Sequence, residues 1–129
     1  MTIDPKDLDH HHRGTLTEHL GVRFVEATLE RVVAEVDITD QLRTVGGRLH
    51  GGTLMALADT VGAAGTAAMG LRTATLESKT NFFAAATKGK VRAESTALHK
   101  GKRTHVWQTR VTDENGRLLS LTIQTQMIL

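Results

Sequence analysis

The chain predicts an α+β fold: one antiparallel sheet with one long helix packed across it. Three observations lead there. A single long segment carries helical periodicity. Period-two segments stand on both sides of it, most of them after it. Short turn signals separate the later ones, as hairpins require. At 129 residues the chain fits one domain, and such a domain buries roughly two-thirds of its unfolded surface.

Residues 1–14 read as a polar lead-in and 15–129 as the single domain. His10, His11 and His12 are adjacent and do not share one face, so they read as a solvated terminus rather than a metal site. Thr15 to Leu20 reads as a short helical turn, and Gly21 to Val25 as a short apolar stretch. Arg31 to Ile38 alternates. Val32, Ala34, Val36 and Ile38 fall on one face of a half-buried strand, and Val33, Glu35 and Asp37 on the other. Thr39 to Leu49 has no period and contains Gly46-Gly47, so it is a loop.

From Gly52 to Met69 the period is helical, with Gly70 as the stop. Leu54, Leu57, Ala58, Val61, Gly65 and Ala68 share one side. Glycine in a helix interior costs about 1 kcal/mol relative to alanine. Gly62 and Gly65 therefore predict tight packing of a central helix against another backbone. Thr73 to Phe83 is a strand rich in β-branched and aromatic residues, and Ala84 to Gly89 a turn region. Val91, Ala93, Ser95 and Ala97 alternate with Arg92, Glu94, Thr96 and Leu98. His99 to Lys102 is a hairpin turn and His105 to Thr112 another strand. Asp113-Glu114-Asn115-Gly116 is a tight turn, because Asn-Gly suits positive φ. Leu119, Leu121, Ile123, Thr125 and Met127 alternate through the last strand.

Composition excludes several classes. Hydrophobic residues at 40% and charged residues at 23% are ordinary for a globular chain, which argues against disorder, collagen and coiled coil. Cysteine is absent, removing disulfide scaffolds, thiolate metal sites and cysteine nucleophiles together. The net charge is +2, and it is unevenly spread. Lys88, Lys90, Arg92, Lys100, Lys102 and Arg103 stand against Glu94 alone, whereas the rest of the chain is net negative. Aromatics at 3% leave few stacking platforms, so no nucleic-acid partner is expected. No basic-then-apolar leader is visible, and Asp59, Gly62 and Gly65 interrupt the most apolar region. The expectation is a cytoplasmic protein without a membrane partner.

His50-Gly51-Gly52 through Leu57-Ala58-Asp59 is the segment with chemistry in it. Glycines at a helix start expose N–H groups that have no partner within the helix. The helix dipole adds positive potential there, which suits a developing oxyanion. Asp59 lies seven residues after Gly52, about two turns on, beside Gly52, Met55, Gly62, Ala63 and Thr66. A carboxylate among alanines is costly to bury without a partner or a purpose. It could attack, or activate water against, a carbonyl held at the helix start. An aspartate on such a helix also fits a satisfied acceptor, and His50 alone fits a cap.

His-Gly-Gly, six further residues and then a carboxylate in a Leu-Ala-Asp context resembles the hotdog-fold acyl-CoA thioesterases. The branch is that of the phenylacetate-pathway and 4-hydroxybenzoyl-CoA enzymes. The resemblance continues through Gly21-Val22-Arg23-Phe24, Asn81-Phe82-Phe83, Gly89-Lys90-Val91 and His99-Lys100-Gly101-Lys102-Arg103, covering roughly residues 17–129. It implies a long helix wrapped by a curved antiparallel sheet. It also implies a homodimer joined edge to edge, paired again into a homotetramer, with active sites at the dimer interface. By position Asp59 would be general base or nucleophile, the Gly51 N–H would polarise the thioester carbonyl, and His50 would shape the site. Gly52, Thr60, Ala63 and Thr66 on the helix, with Asn81 and Phe82 on the next strand, would line the substrate. Lys100, Lys102 and Arg103 would meet the phosphates of coenzyme A, with Lys88 and Lys90 as weaker candidates. Neither a metal nor a redox cofactor is implied.

Two positions depart from the family pattern. Thr44 stands where relatives carry Asn or Gln, six residues before the histidine. Ala63 stands four after Asp59, where relatives using glutamate carry Ser or Thr; Thr60 and Thr66 are possible substitutes. The activity expected is hydrolysis of an acyl-CoA thioester to a free acid and coenzyme A. The small face at Gly62 and Ala63 leaves room for an aryl or medium-chain acyl group. Acyl-carrier-protein thioesters are a variant substrate, and an acidic carrier would suit the basic segment. A non-catalytic acyl-CoA-binding or sensing module is the alternative from another class, and would show no turnover for an Asp59 variant to lose. A hydratase or dehydratase would leave the thioester intact and release no thiol.

Overall fold

In the computed structural model, which describes residues 3–129, three helices and six strands follow one another. They are α1 (Pro5–His11), α2 (Leu16–His19), β1 (Arg23–Ala27), β2 (Arg31–Asp37), α3 (Gly51–Ala67), β3 (Thr73–Phe82), β4 (Lys90–Lys100), β5 (Thr104–Thr112) and β6 (Leu118–Ile128). A 3-10 turn at Asp40–Leu42 lies in the connection before α3. All strands join one antiparallel sheet in the order β1-β2-β4-β5-β6-β3. The expected α+β architecture is present, with β3 at one edge of the sheet and β1 at the other.

The long helix forms because both of its ends are specified locally. His50 is the N-cap and accepts from the Gly52 N–H. At the far end Gly70 takes φ 78°, a left-handed conformation that a side chain disfavours. Leu54, Leu57 and Val61 are buried and pack with Val32, Ala34, Val36, Val91, Ala93 and Val111. Each such side chain contributes roughly 1.5–3 kcal/mol.

The structure departs from the sequence reading at five places. Pro5–His11 is a helix, not solvated lead-in: Asp4 caps it, and Leu8 enters the core. Asp9 accepts from the Phe24 N–H, and the His12 ring stacks on Phe24, so this helix is pinned to β1. Val33, read as outward, is as fully buried as its neighbours. Gly62 and Gly65 do bring α3 close to the sheet, but against side chains. A methyl at Gly62 would overlap the Gln124 carboxamide, and one at Gly65 the Trp107 ring. In the last hairpin only Gly116 takes positive φ. Asp113 Oδ1 accepts from the N–H groups of Asn115 and Arg117 and shapes the turn instead.

The fifth departure concerns β6, where the apolar alternation does not mark the core face. Ser120, Thr122, Gln124 and Gln126 are buried, whereas Ile123 and Met127 are 43% and 42% exposed. Three of these polar side chains find partners on neighbouring elements: Thr122 bonds Thr80, Gln124 bonds Asp59, and Gln126 bonds Thr73 and Thr75, whereas the Ser120 hydroxyl has none among the described residues. Only Leu119, at the irregularity between β5 and β6, is an apolar member of that alternation that is fully buried.

Candidate active site

The start of α3 follows from its three-residue cap. The Gly52 N–H donates to His50 Nδ1 at 2.7 Å, so Nδ1 carries no proton and Nε2 does. The Thr53 and Leu54 N–H groups turn to the His50 carbonyl at 2.9 and 3.2 Å. The Gly51 N–H alone of these four has no acceptor among the described residues. His50 is thus a cap whose geometry leaves one polarised donor open.

That donor adjoins a groove of about 450 Å³, lined by Thr44, Arg48, Gly51, Leu54, Phe82 and Phe83 among others. The Phe82 ring packs directly on Gly51, 3.3 Å from an added Cβ. Thr44 Oγ1 accepts from the Gly46 N–H, which leaves its hydroxyl proton uncommitted. Thr44, Gly51 and Phe82 therefore come together at one end of α3.

Asp59 sits elsewhere. It lies eight positions after Gly51, about 12 Å along the helix axis. It is half-buried between α3 and the β3 edge. Thr75 Oγ1 donates to Asp59 Oδ1 at 2.6 Å, and Gln124 Nε2 donates to the same oxygen at 3.1 Å. Nothing donates to Oδ2 among the described residues, and no cation pairs with the carboxylate. One oxygen is held by neutral donors and the other is free.

Thr75 reaches Asp59 because β3 is irregular. Glu77 lies opposite Thr125 and Thr75 opposite Gln126, so Leu76 is the extra residue of a bulge. In a regular strand Leu76 would face Gln126 and Thr75 would point away. Bulges re-aim side chains in this manner. Neither Thr75 nor Gln124 is singled out by sequence reasoning. Gln124 hides among an apolar alternation, and the bulge has no sequence signature.

The other expected site residues scatter. Thr66 is fully buried: it is 3.0 Å from His105 Nδ1 and accepts from Trp107 Nε1 at 2.9 Å. Its hydroxyl is committed to β5, so it neither lines the substrate nor replaces a serine beside Asp59. Thr60 faces Thr17 of α2 at 3.5 Å, away from the carboxylate. Asn81 pairs with outward-facing Leu121, so it lies on the sheet face opposite the helix. Gly52 is exposed, and Ala63 is half-buried on the Asp59 side. The room expected at Gly62 is filled by Gln124.

Lys100 is engaged. Its Nζ donates to the Leu29 carbonyl at 3.0 Å and to Glu30 at 2.6 Å. Lys90 pairs with Glu35 at 3.4 Å. Lys102 and Arg103 are exposed, and neither pairs with a carboxylate among the described residues. Their hairpin precedes His105 and Trp107, which bond Thr66, and Thr66 stands about 22 Å along the α3 axis from Gly51. Burial, Lys100 and His99 together push the His105 imidazole below its ordinary range. No metal-binding cluster occurs among the described residues, and no helix there is long and apolar enough to cross a membrane.

With this geometry in view, three comparisons bear on the chain. The Thioesterase superfamily pattern matches residues 46–120. The chain is 32% identical over 109 residues to a 1,4-dihydroxy-2-naphthoyl-CoA hydrolase of Listeria monocytogenes, covering 82% of this chain and 89% of that one. It is 33% identical over 107 residues to the proofreading thioesterase EntH of Cronobacter turicensis, covering 81% and 78%. Among solved structures, a mutant thioesterase PA1618 of Pseudomonas aeruginosa superposes with TM-score 0.94 at 25% identity, covering 100% of this chain and 96% of that one. The PaaI protein of the Escherichia coli phenylacetic acid degradation operon superposes at 0.88 with 20% identity, covering 94% and 88%, a likeness of fold.

Proposed function

The chain belongs to the thioesterase superfamily and is a hydrolase of thioesters; on that premise we propose that it cleaves an acyl-CoA thioester, with Asp59 as general base or nucleophile. The observation that carries the assignment is the Asp59 carboxylate. It has one oxygen held by neutral donors, the other free, and no cation to make it structural. As general base, Oδ2 takes a proton from water while the water oxygen bonds to the thioester carbon. The C–S bond then breaks, and the leaving thiolate takes the proton to give the free acid and coenzyme A. As nucleophile, Oδ2 itself bonds to the carbon and expels the thiolate, and water then cleaves the resulting anhydride. Either route develops negative charge on the carbonyl oxygen, and the Gly51 N–H is the donor assigned to it. Neither route calls for a metal or a redox cofactor.

A carbonyl within about 3 Å of both groups cannot be served by one copy, because Gly51 and Asp59 are about 12 Å apart. A homodimer resolves this. β3 is an open edge with Leu76 58%, Phe82 50% and Phe83 57% exposed. Within one copy Phe82 lies beside Gly51, and Thr75 beside Asp59. Antiparallel pairing of two β3 edges about a two-fold near Ser78 sets the Phe82 end of one copy beside the Thr75 end of the other. The helix start of one copy then faces Asp59 of the second. The outward stripe of Ile123 and Met127 offers a second apolar surface for pairing dimers into a tetramer.

An aryl acyl group is the first choice, supported by relatives named for an aryl-CoA substrate and by the Phe82–Phe83 groove; a medium-chain acyl group is the second. Lys102 and Arg103 are assigned to the phosphates of coenzyme A, and Lys100 would have to leave Glu30 to join them. A panel of aryl- and alkyl-CoA thioesters, followed by thiol release, tests the substrate class. Release from aryl or medium-chain thioesters is expected. Binding of coenzyme A without release from any thioester would replace the enzyme by a binding module. Single turnover in ¹⁸O-water separates the two routes, since label enters the Asp59 side chain only through an anhydride.

A further inference from the structure

We infer that Gln124 is a positioning residue that fixes the Asp59 carboxylate so that Oδ2, and not Oδ1, is the reacting oxygen. The inference rests on Asp59 being the acting group, and it concerns residues on β6 that the catalytic motif does not contain.

The geometry of Gln124 is specific. Its Nε2 lies 3.1 Å from Asp59 Oδ1 and 3.3 Å from the Asp59 backbone carbonyl. Both acceptors belong to one residue, so the amide grips the side chain relative to its own helix. Only the NH₂ end can face two acceptors, which fixes the orientation of the amide. Gln124 is 1% exposed. Its Oε1 is packed against Gly62 and has no donor among the described residues. A buried amide oxygen without a donor is costly. Glycine at position 62 adds a cost in helix propensity, and any larger residue would expel the carboxamide. Two unfavourable local choices therefore converge on one product, the two bonds from Nε2 to Asp59.

Gln126 completes the clamp from the next inward position. Thr73 Oγ1 donates to Gln126 Oε1 at 2.9 Å, and Gln126 Nε2 donates to Thr75 Oγ1 at 2.7 Å. With its oxygen accepting from that amide, Thr75 directs its single proton to Asp59 Oδ1. The donors run one way, toward Oδ1. Rotation of the carboxylate about its last torsion would break both bonds to Oδ1, so Oδ2 stays turned to the open side. A reacting group misplaced by about 1 Å loses rate on the order of a hundredfold.

Gln124→Met removes the donor and keeps length and volume. Its kcat for thiol release is expected to fall about tenfold to a hundredfold, with KM within about threefold of wild type. Combined with Asp59→Asn, the substitution is expected to cause no further loss, because Gln124 acts through Asp59. Thr122→Val, at the neighbouring inward position of β6 but without contact to Asp59, is expected to keep kcat. If Gln124→Met does not fold, Gln124→Asn keeps a buried amide, draws it back by one methylene, and reads the same quantity. An unchanged kcat in the folded variant overturns the inference, as does a loss that multiplies with that of Asp59→Asn. If Asp59→Asn itself retains wild-type release, or the wild type releases no thiol, the underlying assignment fails and the inference with it.

Discussion

The roles proposed for Gly51 and Asp59 can each be addressed alone. Gly51 is the first helical residue after its cap, where proline is readily accommodated because its missing N–H has no helical partner. His50 at φ −65° and ψ 136° already has the extended backbone that a following proline requires. Gly51→Pro is therefore expected to fold, with the Phe82 ring giving by a few tenths of an ångström to admit the added Cβ, and to lose about a hundredfold to a thousandfold in kcat, as removal of one oxyanion donor does. Thermal unfolding paired with thiol release checks both halves. His105 predicts a pH effect on stability. Its folded-state value is lowered, so the unfolded chain binds the extra proton first. Stability is complete above the ordinary histidine value of 6.5 and declines as pH falls below it toward the lowered folded value. Urea unfolding of wild type and His105→Asn at several pH values is expected to show the steeper acid decline in wild type.

At the scale of elements, what the sequence reveals divides by the range of its signals. The α3 helix, its Gly70 stop and its glycine start are legible because period, cap and terminator all lie within a few residues of one another. The His50–Asp59 segment stands out for the same reason. The inward face of β6 is not: Gln124 and Gln126 are buried only because Asp59, Thr75 and Thr73 wait on two other elements. Thr75 reaches the carboxylate through a bulge at Leu76 that local pattern does not announce. Helix α1 escapes because its only buried residue, Leu8, gives no period. The Asp113–Gly116 hairpin shows the same limit at one turn. Gly116 at φ 83° requires its glycine, whereas Asn115 does not use positive φ. Gly116→Ala is expected to cost about 1–2 kcal/mol, and Asn115→Ala a few tenths at most. Chemical denaturation of the two variants makes the comparison.

At the scale of the molecule, α3 keeps the Gly51 N–H and the Asp59 carboxylate too far apart to meet on one carbonyl. The homodimer proposed across the open β3 edge would bring them together, and a mixing experiment tests it. Asp59→Asn and Gly51→Pro chains are each expected to be inactive alone. When they are unfolded together in equal amounts and refolded, half of the dimers are mixed, and one site in each mixed dimer has both groups intact. About a quarter of wild-type activity is expected from a two-fold dimer. Mixtures no more active than their parents would mean that each copy builds its own site.

The most direct test is thiol release from acyl-CoA thioesters by wild type and Asp59→Asn. The chain contains no cysteine, so a thiol reagent reports only released coenzyme A. The prediction is turnover by wild type and a loss of about a hundredfold or more in kcat for the folded variant. Equal turnover by the two proteins would contradict the assignment of Asp59, and with it the reaction built around its free oxygen.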